Sequence, residues 1–245
     1  MQRSVFIGWD PREAAAFAVA RSSLKRHLTQ PIPVRGLVLD DLISSGLYTR
    51  PTTRKVNGEG RFEMVDILSI REDYDGRVAT QHANARFLVP HIAKEGWALF
   101  CDGDVMFRGN VARLFDSLNP KYAVYCVKHK HEPSAGMKMD GQQQTRYARK
   151  NWSSFLVFNA QHEANRALTL DLVNTLPGRD LHRLCWLEDG QIGELGIEWN
   201  WLAGCSKPVD DPKVVHFTLG TPDMAGYERS AYSDEWRAQL NNWAA

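Results

Sequence analysis

Residues 97–107 read WALFCDGDVMF, an apolar run that ends on two aspartates separated by one glycine. The run predicts a short buried strand, Trp97–Phe100, with Asp102 and Asp104 just beyond its end. Side chains two residues apart on an extended backbone point to the same side. Carboxylate oxygens suit Mg²⁺ or Mn²⁺, and Gly103 permits a close approach of a ligand. We therefore expect a divalent metal site here, with a turn and capping role for the two aspartates as the alternative.

The Asp-x-Asp pattern occurs twice in the chain, and the surroundings distinguish the two copies. Asp73 and Asp75 follow a charged run and precede a glycine, which is typical of a solvated turn. Asp102 and Asp104 instead follow a buried strand, and open α/β sheets bind ligands beyond the carboxyl ends of their strands. The pair at 102 and 104 is therefore the candidate metal site.

The composition restricts the class of protein. The chain has 245 residues, of which 43% are hydrophobic and 24% charged, and this excludes a disordered or collagen-like chain. A formal net charge of +1 argues against a surface that binds nucleic acid or anionic membranes as a whole. The cysteines are widely spaced, without a C-x-x-C pair. With neither a signal-peptide pattern nor an apolar stretch of membrane-spanning length, we expect no integral membrane segment and a cytoplasmic location.

Apolar periodicity around the acidic pair predicts alternating strands and helices, and the chain opens β-α-β. This order predicts an α/β fold with a parallel sheet and a right-handed crossover, as a single domain over 1–245. The predicted strands are Ser4–Trp9, Val34–Leu39, Trp97–Phe100, Tyr122–Val127, Ser154–Asn159 and Val214–Thr218. The predicted helices are Arg12–Leu28, residues 80–94 with a kink or junction at Pro90, Val111–Leu118, His162–Leu176 and Ser233–Trp243. The irregular pattern of two further stretches predicts loops, over residues 44–80 and Glu188–Leu202.

Several segments, taken in order, resemble the metal-dependent GT-A glycosyltransferases, in particular glycosyltransferase family 8. The matching segments are FIGWD at 6–10, ARFLVP at 85–90, the stretch 97–107, WSSFLVFN at 152–159 and HFTLGTP at 216–222. The chain departs from the family where Trp152-Ser153-Ser154 replaces Asn-Ala-Gly and where Lys-Pro-Trp is absent after Gly220. The Asp-x-Asp and the His-x-x-x-Gly segments are the most specific parts of the match.

The resemblance implies an α/β, GT-A-like (Rossmann-like) fold with a mixed, mostly parallel sheet flanked by helices. It also implies a nucleotide-sugar donor that is usually UDP-linked, bound Mn²⁺ or Mg²⁺, and transfer with retention at the anomeric carbon. It implies the metal ligands Asp102, Asp104 and His216. It implies a donor site formed by Ile7, Gly8, Asp10, Arg86, Asp102, Gly103 and Gly220. It also implies a nucleotide-sugar and metal half over about 1–120 and an acceptor half over about 121–245.

The stereochemical outcome decides whether a protein base is needed. In retaining transfer by the family, the leaving phosphate can take the acceptor proton. An inverting relative would need a carboxylate base, and Glu188 and Asp189, with Gln191, are the candidates because a carboxylate pair in a glycine-containing loop can reach a cleft. The sequence leaves both outcomes open.

Three further features permit two interpretations each. The basic residues of the polar stretch form either a solvated face or a site for an anionic acceptor; they are Lys128, Lys130, Arg146, Arg149 and Lys150. His129-Lys130-His131 has a metal-like spacing, but its charged surroundings predict a solvated loop. Trp199-Asn200-Trp201 either lines an acceptor pocket or packs in the core.

We therefore expect a hexosyltransferase that moves a sugar from a nucleotide-sugar donor to a hydroxyl of an acceptor. The acceptor classes are a glycan, a lipid-linked glycan or a modified nucleic-acid base, the last of which needs an aromatic-lined pocket. The alternatives are a non-catalytic sugar-nucleotide or glycan-binding module of the same fold, and a nucleotidyltransferase. The nucleotidyltransferase is disfavoured because no Gly-rich loop bearing Lys or Arg follows the first strand.

Overall fold

The chain opens with the predicted β-α-β unit, and Asp10 begins its helical part. The Asp10 carboxylate accepts a hydrogen bond from the Arg12 amide (3.0 Å), and Pro11 occupies the start of a short 3-10 helix that leads into the long helix. Both features stabilise the start of a helix. The Asp10 carboxylate satisfies an amide that has no partner within the helix, and proline has no amide hydrogen that would need one. The computed structural model describes residues 1–56, 62–129, 149 and 152–244.

Twelve strands and seven α-helices follow one another along the described residues. The strands are β1 (Arg3–Gly8), β2 (Val34–Leu37), β3 (Thr52–Val56), β4 (Phe62–Arg71), β5 (Tyr74–Val78), β6 (Trp97–Cys101), β7 (Val105–Phe107), β8 (Val124–Val127), β9 (Phe155–Asn159), β10 (Ile192–Leu195), β11 (Trp201–Leu202) and β12 (Val214–His216). The helices are α1 (Ala14–His27), α2 (Leu39–Ser44), α3 (Val89–Ala93), α4 (Val111–Asp116), α5 (Leu170–Thr175), α6 (Gly178–His182) and α7 (Ser233–Ala244).

The central sheet has the strand order β10-β8-β9-β6-β1-β2. Strand β9 is antiparallel to both of its neighbours, whereas β1, β2, β6, β8 and β10 all run in one direction. The carboxyl ends of β1 and β6 therefore meet at the same edge of the sheet. The α/β fold with a mixed, mostly parallel sheet in a single domain is confirmed.

A small second sheet of order β11-β12-β7 adjoins the end of β6. The chain leaves the central sheet at Cys101, passes through 102–104, and enters the small sheet at Val105. Because β12 is antiparallel to β7 and pairs His216 with Val105, the acidic pair and the histidine come from distant parts of the chain to one place.

Apolar side chains cover both faces of the central sheet and form its core. Phe100 and Phe158 lie on the face packed by α3 and α5, while Leu99 and Val157 lie on the face packed by α1 and α4. Alternate strand residues thus enter opposite clusters, as the period of a strand requires. Cys101 and Cys126 are buried in this core, and Cys185 and Cys205 are exposed. None of the four forms a disulfide.

The prediction of a loop over 44–80 is wrong. Residues in this range form a three-stranded antiparallel sheet of order β3-β4-β5, with a turn at 72–73 that contains Asp73. The solvated-turn interpretation of the first Asp-x-Asp therefore agrees with the structure.

Three other boundaries differ from the prediction. Glu188–Leu202 contains β10 and β11 as well as short 3-10 helices, so the loop prediction there is wrong in part. The helix predicted over His162–Leu176 is interrupted before Thr169, whose hydroxyl caps α5 by accepting from the Leu172 amide (3.0 Å). Pro90 lies at the start of α3, so the expected junction within 80–94 is present, with a 3-10 helix before it.

Some predictions cannot be placed in the fold. Lys130, His131, Arg146 and Lys150 lie outside the described residues. Within the part that is described, no helix combines the length and apolar character needed to cross a membrane.

Candidate functional site

The Asp-x-Asp segment is held by backbone hydrogen bonds at the point where β6 ends. The Asp102 amide donates to the Ser154 carbonyl (3.0 Å), and the Phe217 amide donates to the Asp104 carbonyl (2.9 Å). Gly103 lies against β1, where a Cβ atom would approach the Gly8 carbonyl oxygen to 2.7 Å. Only glycine fits this close contact of two backbones, so the segment has little freedom to move.

Asp102, Asp104 and His216 form a cluster suited to a divalent cation. One ligand atom from each lies within 4.8 Å of those of the other two. The Asp104 Oδ1 atom is 3.1 Å from His216 Nε2, yet this buried oxygen has no hydrogen-bond partner among the described residues. A buried carboxylate oxygen without such a partner is costly unless a cation compensates it. The donor set of two carboxylates and one imidazole therefore fits Mn²⁺ or Mg²⁺.

Arg86 and His82 keep the Asp102 carboxylate in its charged form. Arg86 Nη2 lies 2.8 Å and His82 Nε2 3.3 Å from Asp102 Oδ1. Burial alone would raise the pKa of Asp102, but the Arg86 charge and the His82 hydrogen bond keep that pKa well below its usual range. The carboxylate therefore stays ionised, as a metal ligand must be.

Arg86 is itself fixed on all sides. Its Nε donates to the Ala83 carbonyl and its Nη1 to the Ser153 carbonyl, both at 2.8 Å, and its guanidinium lies 4.7 Å from the centre of the Phe100 ring. The donor contact expected for Arg86 stays a prediction, because the described contacts of this side chain orient Asp102.

His216 is bound on its other side by a buried amide. Its Nδ1 lies 3.0 Å from Asn200 Oδ1, and an amide oxygen can only accept, so Nδ1 carries the proton. Burial alone would lower the pKa of His216, but Asp104 and Asp102 raise it above its ordinary value of 6.5. Above this raised pKa the ring loses its Nε2 proton, and a cation beside Asp104 could then take the Nε2 lone pair.

Glu13 is a further acidic side chain close to the cluster. Its Oε2 lies 4.0 Å from the position of a Cβ on Gly103, and no described residue forms a hydrogen bond or ion pair with its carboxylate. Burial raises the pKa of Glu13 to about 8, with further contributions from Asp104, Asp10 and Asp102. At neutral pH the Glu13 carboxyl therefore keeps its proton and adds no charge to the two aspartates.

The remaining predicted donor residues lie beside the cluster or after it. Ile7 pairs with Cys101, and its side chain is buried in the core, so the side chain itself cannot contact a nucleoside. The Asp10 carboxylate is buried and accepts from Arg12 and the Gln81 amide. Gly220 follows β12 in a turn, where a Cβ would approach the Tyr227 ring to 2.7 Å. The donor roles of Ile7, Gly8, Asp10, Gly103 and Gly220 stay predictions.

The predicted catalytic carboxylates are not brought to the acidic pair. Glu188 and Gln191 form a capping box, in which the Gln191 side chain accepts from the Glu188 amide (3.0 Å), and Asp189 pairs with Arg149 at 2.6 Å. These residues precede β10, whereas Asp102 follows β6, which runs in the same direction. The start of β10 and the end of β6 lie at opposite edges of the sheet. The catalytic roles of Glu188, Asp189 and Gln191 stay predictions.

Besides Glu13, three residues at the site were missed or misjudged from the sequence. His129, expected in a solvated loop, is half-buried and accepts a hydrogen bond from Asn200 Nδ2 at its Nε2 (3.1 Å). Asn200 was noted only for the tryptophans beside it; Trp201 proves to be a core residue. His82 carried no signal in the sequence, because its role depends on packing against Gly8, where a Cβ would lie 2.4 Å from the ring.

The sheet order and the acidic pair with its histidine define a protein of the GT-A glycosyltransferase fold. Two solved structures share this fold at low sequence identity. The apo structure of the bifunctional glycosyltransferase WbbM gives a TM-score of 0.61 at 16% identity, over 98% of this chain and 50% of that chain. The galactosyltransferase LgtC in complex with donor and acceptor sugar analogues gives 0.59 at 16% identity, over 98% of this chain and 95% of that chain. This chain therefore spans only half the length of WbbM.

Comparison of amino-acid sequences places the chain in a particular family within this fold. It belongs to the same family as Protein CDI of Arabidopsis thaliana, with 34% identity over 98% of this chain and 86% of that protein. No protein-family model matches the chain.

Proposed function

We propose that this protein is a metal-dependent glycosyltransferase that moves a sugar from a UDP-linked donor to an acceptor hydroxyl. The observation that carries the proposal is the cluster of Asp102, Asp104 and His216, with ligand atoms within 4.8 Å of one another at the carboxyl edge of the sheet. The solved structure of LgtC, which shares the fold, holds donor and acceptor sugar analogues. This supports a sugar-donor site in a protein of this fold, and we propose that the donor binds beside the acidic cluster.

The chemistry requires charge neutralisation on a leaving diphosphate. A divalent cation supplies this as a Lewis acid when bound, and Asp102, Asp104 and His216 would hold it. Arg86 and His82 keep Asp102 ionised and oriented, and Gly103 keeps the segment against β1. Fixed ligands of this kind avoid reorganisation during the reaction.

We further propose the family 8 mode of action, with retention at the anomeric carbon. The order of the resembling segments supports it, as does the position of Glu188 and Asp189, the carboxylates on which the inverting alternative depended. The donor would bind residues of the half over about 1–120, with His216 added from the half over about 121–245. The acceptor class stays open among a glycan, a lipid-linked glycan and a modified nucleic-acid base.

Calorimetric titration tests the proposal directly. UDP, UDP-glucose, UDP-galactose and GDP-mannose are titrated into the protein with and without Mn²⁺, and the same is done for Asp104→Ala. The matched control is Asp73→Ala, which removes an aspartate from the exposed Asp-x-Asp of the β4–β5 turn. We expect Mn²⁺-dependent binding of a uridine nucleotide, abolished by Asp104→Ala and unchanged by Asp73→Ala.

The outcomes separate the alternatives. Slow release of UDP from a bound UDP-sugar in Mn²⁺, absent in Asp104→Ala, would support an enzyme. Binding without any release or transfer would instead indicate the non-catalytic module. Absence of binding by every nucleotide, with the mutant indistinguishable from the wild type, would overturn the proposal.

A further inference from the structure

Asn200 lies at the centre of a buried hydrogen-bond network behind the metal cluster. Its side chain is fully buried. Its Oδ1 accepts from His216 Nδ1 at 3.0 Å, and its Nδ2 donates to Ser154 Oγ at 2.9 Å and to His129 Nε2 at 3.1 Å. The two hydrogens of the amide nitrogen and one lone pair of its oxygen thus each have a partner.

These partners fix which way the amide faces. If the amide were rotated by half a turn, its nitrogen would face His216 Nδ1 and its oxygen would face His129 Nε2. Burial, together with the nearby His216, lowers the pKa of His129 to about 4, so this ring is neutral and its Nε2 can accept from Asn200. In the observed orientation every one of these groups has a partner, and His216 Nδ1 carries the proton. The rotated amide would require the proton on His216 Nε2 instead, so the observed orientation is the one that leaves Nε2 free for a cation.

The network also reaches the other side of the metal cluster. Ser154, whose hydroxyl accepts from Asn200, uses its carbonyl to accept from the Asp102 amide at 3.0 Å. Asn200 thus forms a direct hydrogen bond with His216, and it is connected to the Asp102 backbone through Ser154. Partners of this kind fix the tautomer and ring orientation of metal-bound histidines.

We propose that Asn200 is a positioning residue of the metal centre: its amide holds the His216 ring so that Nε2, opposite Asp104, presents its lone pair to a divalent cation. The proposal rests on the metal site of the proposed function and adds a residue to it. Asn200 itself contacts neither the cation nor the substrates.

Mutants of Asn200 test the role through metal affinity rather than activity. We expect Asn200→Ala to weaken Mn²⁺ binding, measured by electron paramagnetic resonance of free Mn²⁺ with UDP present, by about 10- to 100-fold. Asn200→Asp keeps an acceptor for His216 Nδ1 and should stay within about fivefold of the wild type. Equal affinity of Asn200→Ala and the wild type would overturn the proposal.

Asn165→Ala is the matched control. Asn165 is also a buried asparagine, and its amide donates to the Ala123 and Asn159 carbonyls, both at 2.8 Å. Its loss should destabilise the fold without changing the Mn²⁺ affinity. An equal loss of affinity in both variants would mean that general loosening, not the position of His216, is responsible, and would overturn the proposal.

A measurement on the unaltered protein covers the case in which the variants do not fold. Nitrogen-15 NMR of the histidine side chains, on metal-free protein at pH 9, reports which ring nitrogen carries the proton. We expect the Nδ1–H tautomer for His216, and the Nε2–H tautomer would overturn the proposal. If the wild type binds no Mn²⁺ at all, the proposed function fails, while the tautomer still decides whether Asn200 orients the ring.

Discussion

At the scale of single residues, the proton on His216 determines when the site can take a cation. Asp104 and Asp102 raise the pKa of His216 above 6.5, and a protonated imidazole cannot be a ligand. We expect the apparent Mn²⁺ affinity to fall by up to about tenfold for each pH unit below this raised pKa and to level off above it. Calorimetric titration between pH 6 and 9 measures the slope.

The His216→Asn variant provides the comparison for this pH dependence, because an asparagine side chain does not titrate between pH 6 and 9. It should bind Mn²⁺ more weakly at every pH and with a shallower pH dependence. A slope as steep as that of the wild type would assign the titration to another group.

Glu13 predicts a pH dependence of stability with the opposite sign from that of most carboxylates. Its pKa is raised from 4.5 to about 8 by burial and by Asp104, Asp10 and Asp102. Between these values the folded protein binds a proton that the unfolded chain has lost, so the free energy of unfolding falls as pH rises. Glu13→Gln should raise that energy at pH 9 by about 1–3 kcal/mol and leave it nearly unchanged at pH 4.

Urea unfolding in a chelator at the two pH values is the measurement. A gain of equal size at pH 4 and pH 9 would show that packing, and not ionisation, is the cause.

The sequence indicated the three proposed metal ligands better than the residues that support them. Asp102 and Asp104 were recognisable because two carboxylates directly follow an apolar run, and His216 because the resemblance aligned it. Asn200, His82 and Glu13 act only through contacts made in three dimensions, and no spacing in the sequence marks them.

At the scale of elements, one buried ion pair joins the β3–β5 sheet to the rest of the fold. Arg50 Nη2 lies 2.6 Å from Asp66 Oδ2, both side chains are 0% exposed, and Arg50 also donates to the Val173 and Leu176 carbonyls of α5 and its end. Asp66→Ala would leave a buried guanidinium without its counter-charge. We expect a loss of about 3–5 kcal/mol in the free energy of unfolding.

The exposed pair of Asp75 and Arg77 is the control within the same sheet. Its atoms are 2.7 Å apart, but the Asp75 side chain is 54% exposed, so Asp75→Ala should cost less than about 1 kcal/mol. Denaturant midpoints compare the two variants. Similar losses would mean that the buried pair contributes no more than an exposed one.

The same sheet explains why the loop prediction over 44–80 failed. In β4 the polar residues Asp66 and Ser69 face inward and are buried, while Ile67 and Ile70 are 46% and 48% exposed. The pairing of β4 with β5 shifts register between Val65 and Ile70. Because this irregularity breaks the period of two and the buried residues are polar, the apolar pattern gives no strand signal. In β10 the misleading residue is Gly193, which is needed because a Cβ there would lie 2.4 Å from the Tyr125 ring.

At the scale of the whole molecule, the order of strands and helices was predictable in the central sheet, whose inner strands are buried on both faces. Strands β1, β6, β8 and β9 are almost wholly buried on both faces and appear in the sequence as continuous apolar runs. The small sheet of β7, β11 and β12 was only partly foreseen. Its strands have two or three residues each, which is too short for a periodic pattern.

Ligand binding should stabilise the whole chain. A ligand at 100 times its Kd that binds only the folded state adds about 2.7 kcal/mol, which corresponds to a rise in Tm of about 5–10 °C for a chain of this size. We expect this rise for UDP with Mn²⁺ by calorimetric scanning, and about 1 °C or less for Asp104→Ala. Asp73→Ala should behave as the wild type, and a rise of the same size in all three proteins would contradict the assignment.

The central claim is that Asp102, Asp104 and His216 hold one divalent cation beside a nucleotide. Crystals grown with UDP and Mn²⁺, measured at an X-ray energy near the manganese edge, give an anomalous difference map that locates the ion. We predict one peak within bonding distance of both carboxylates and His216 Nε2, with diphosphate density against it. A peak bound by other residues, or nucleotide density at this edge without any peak, would contradict the account.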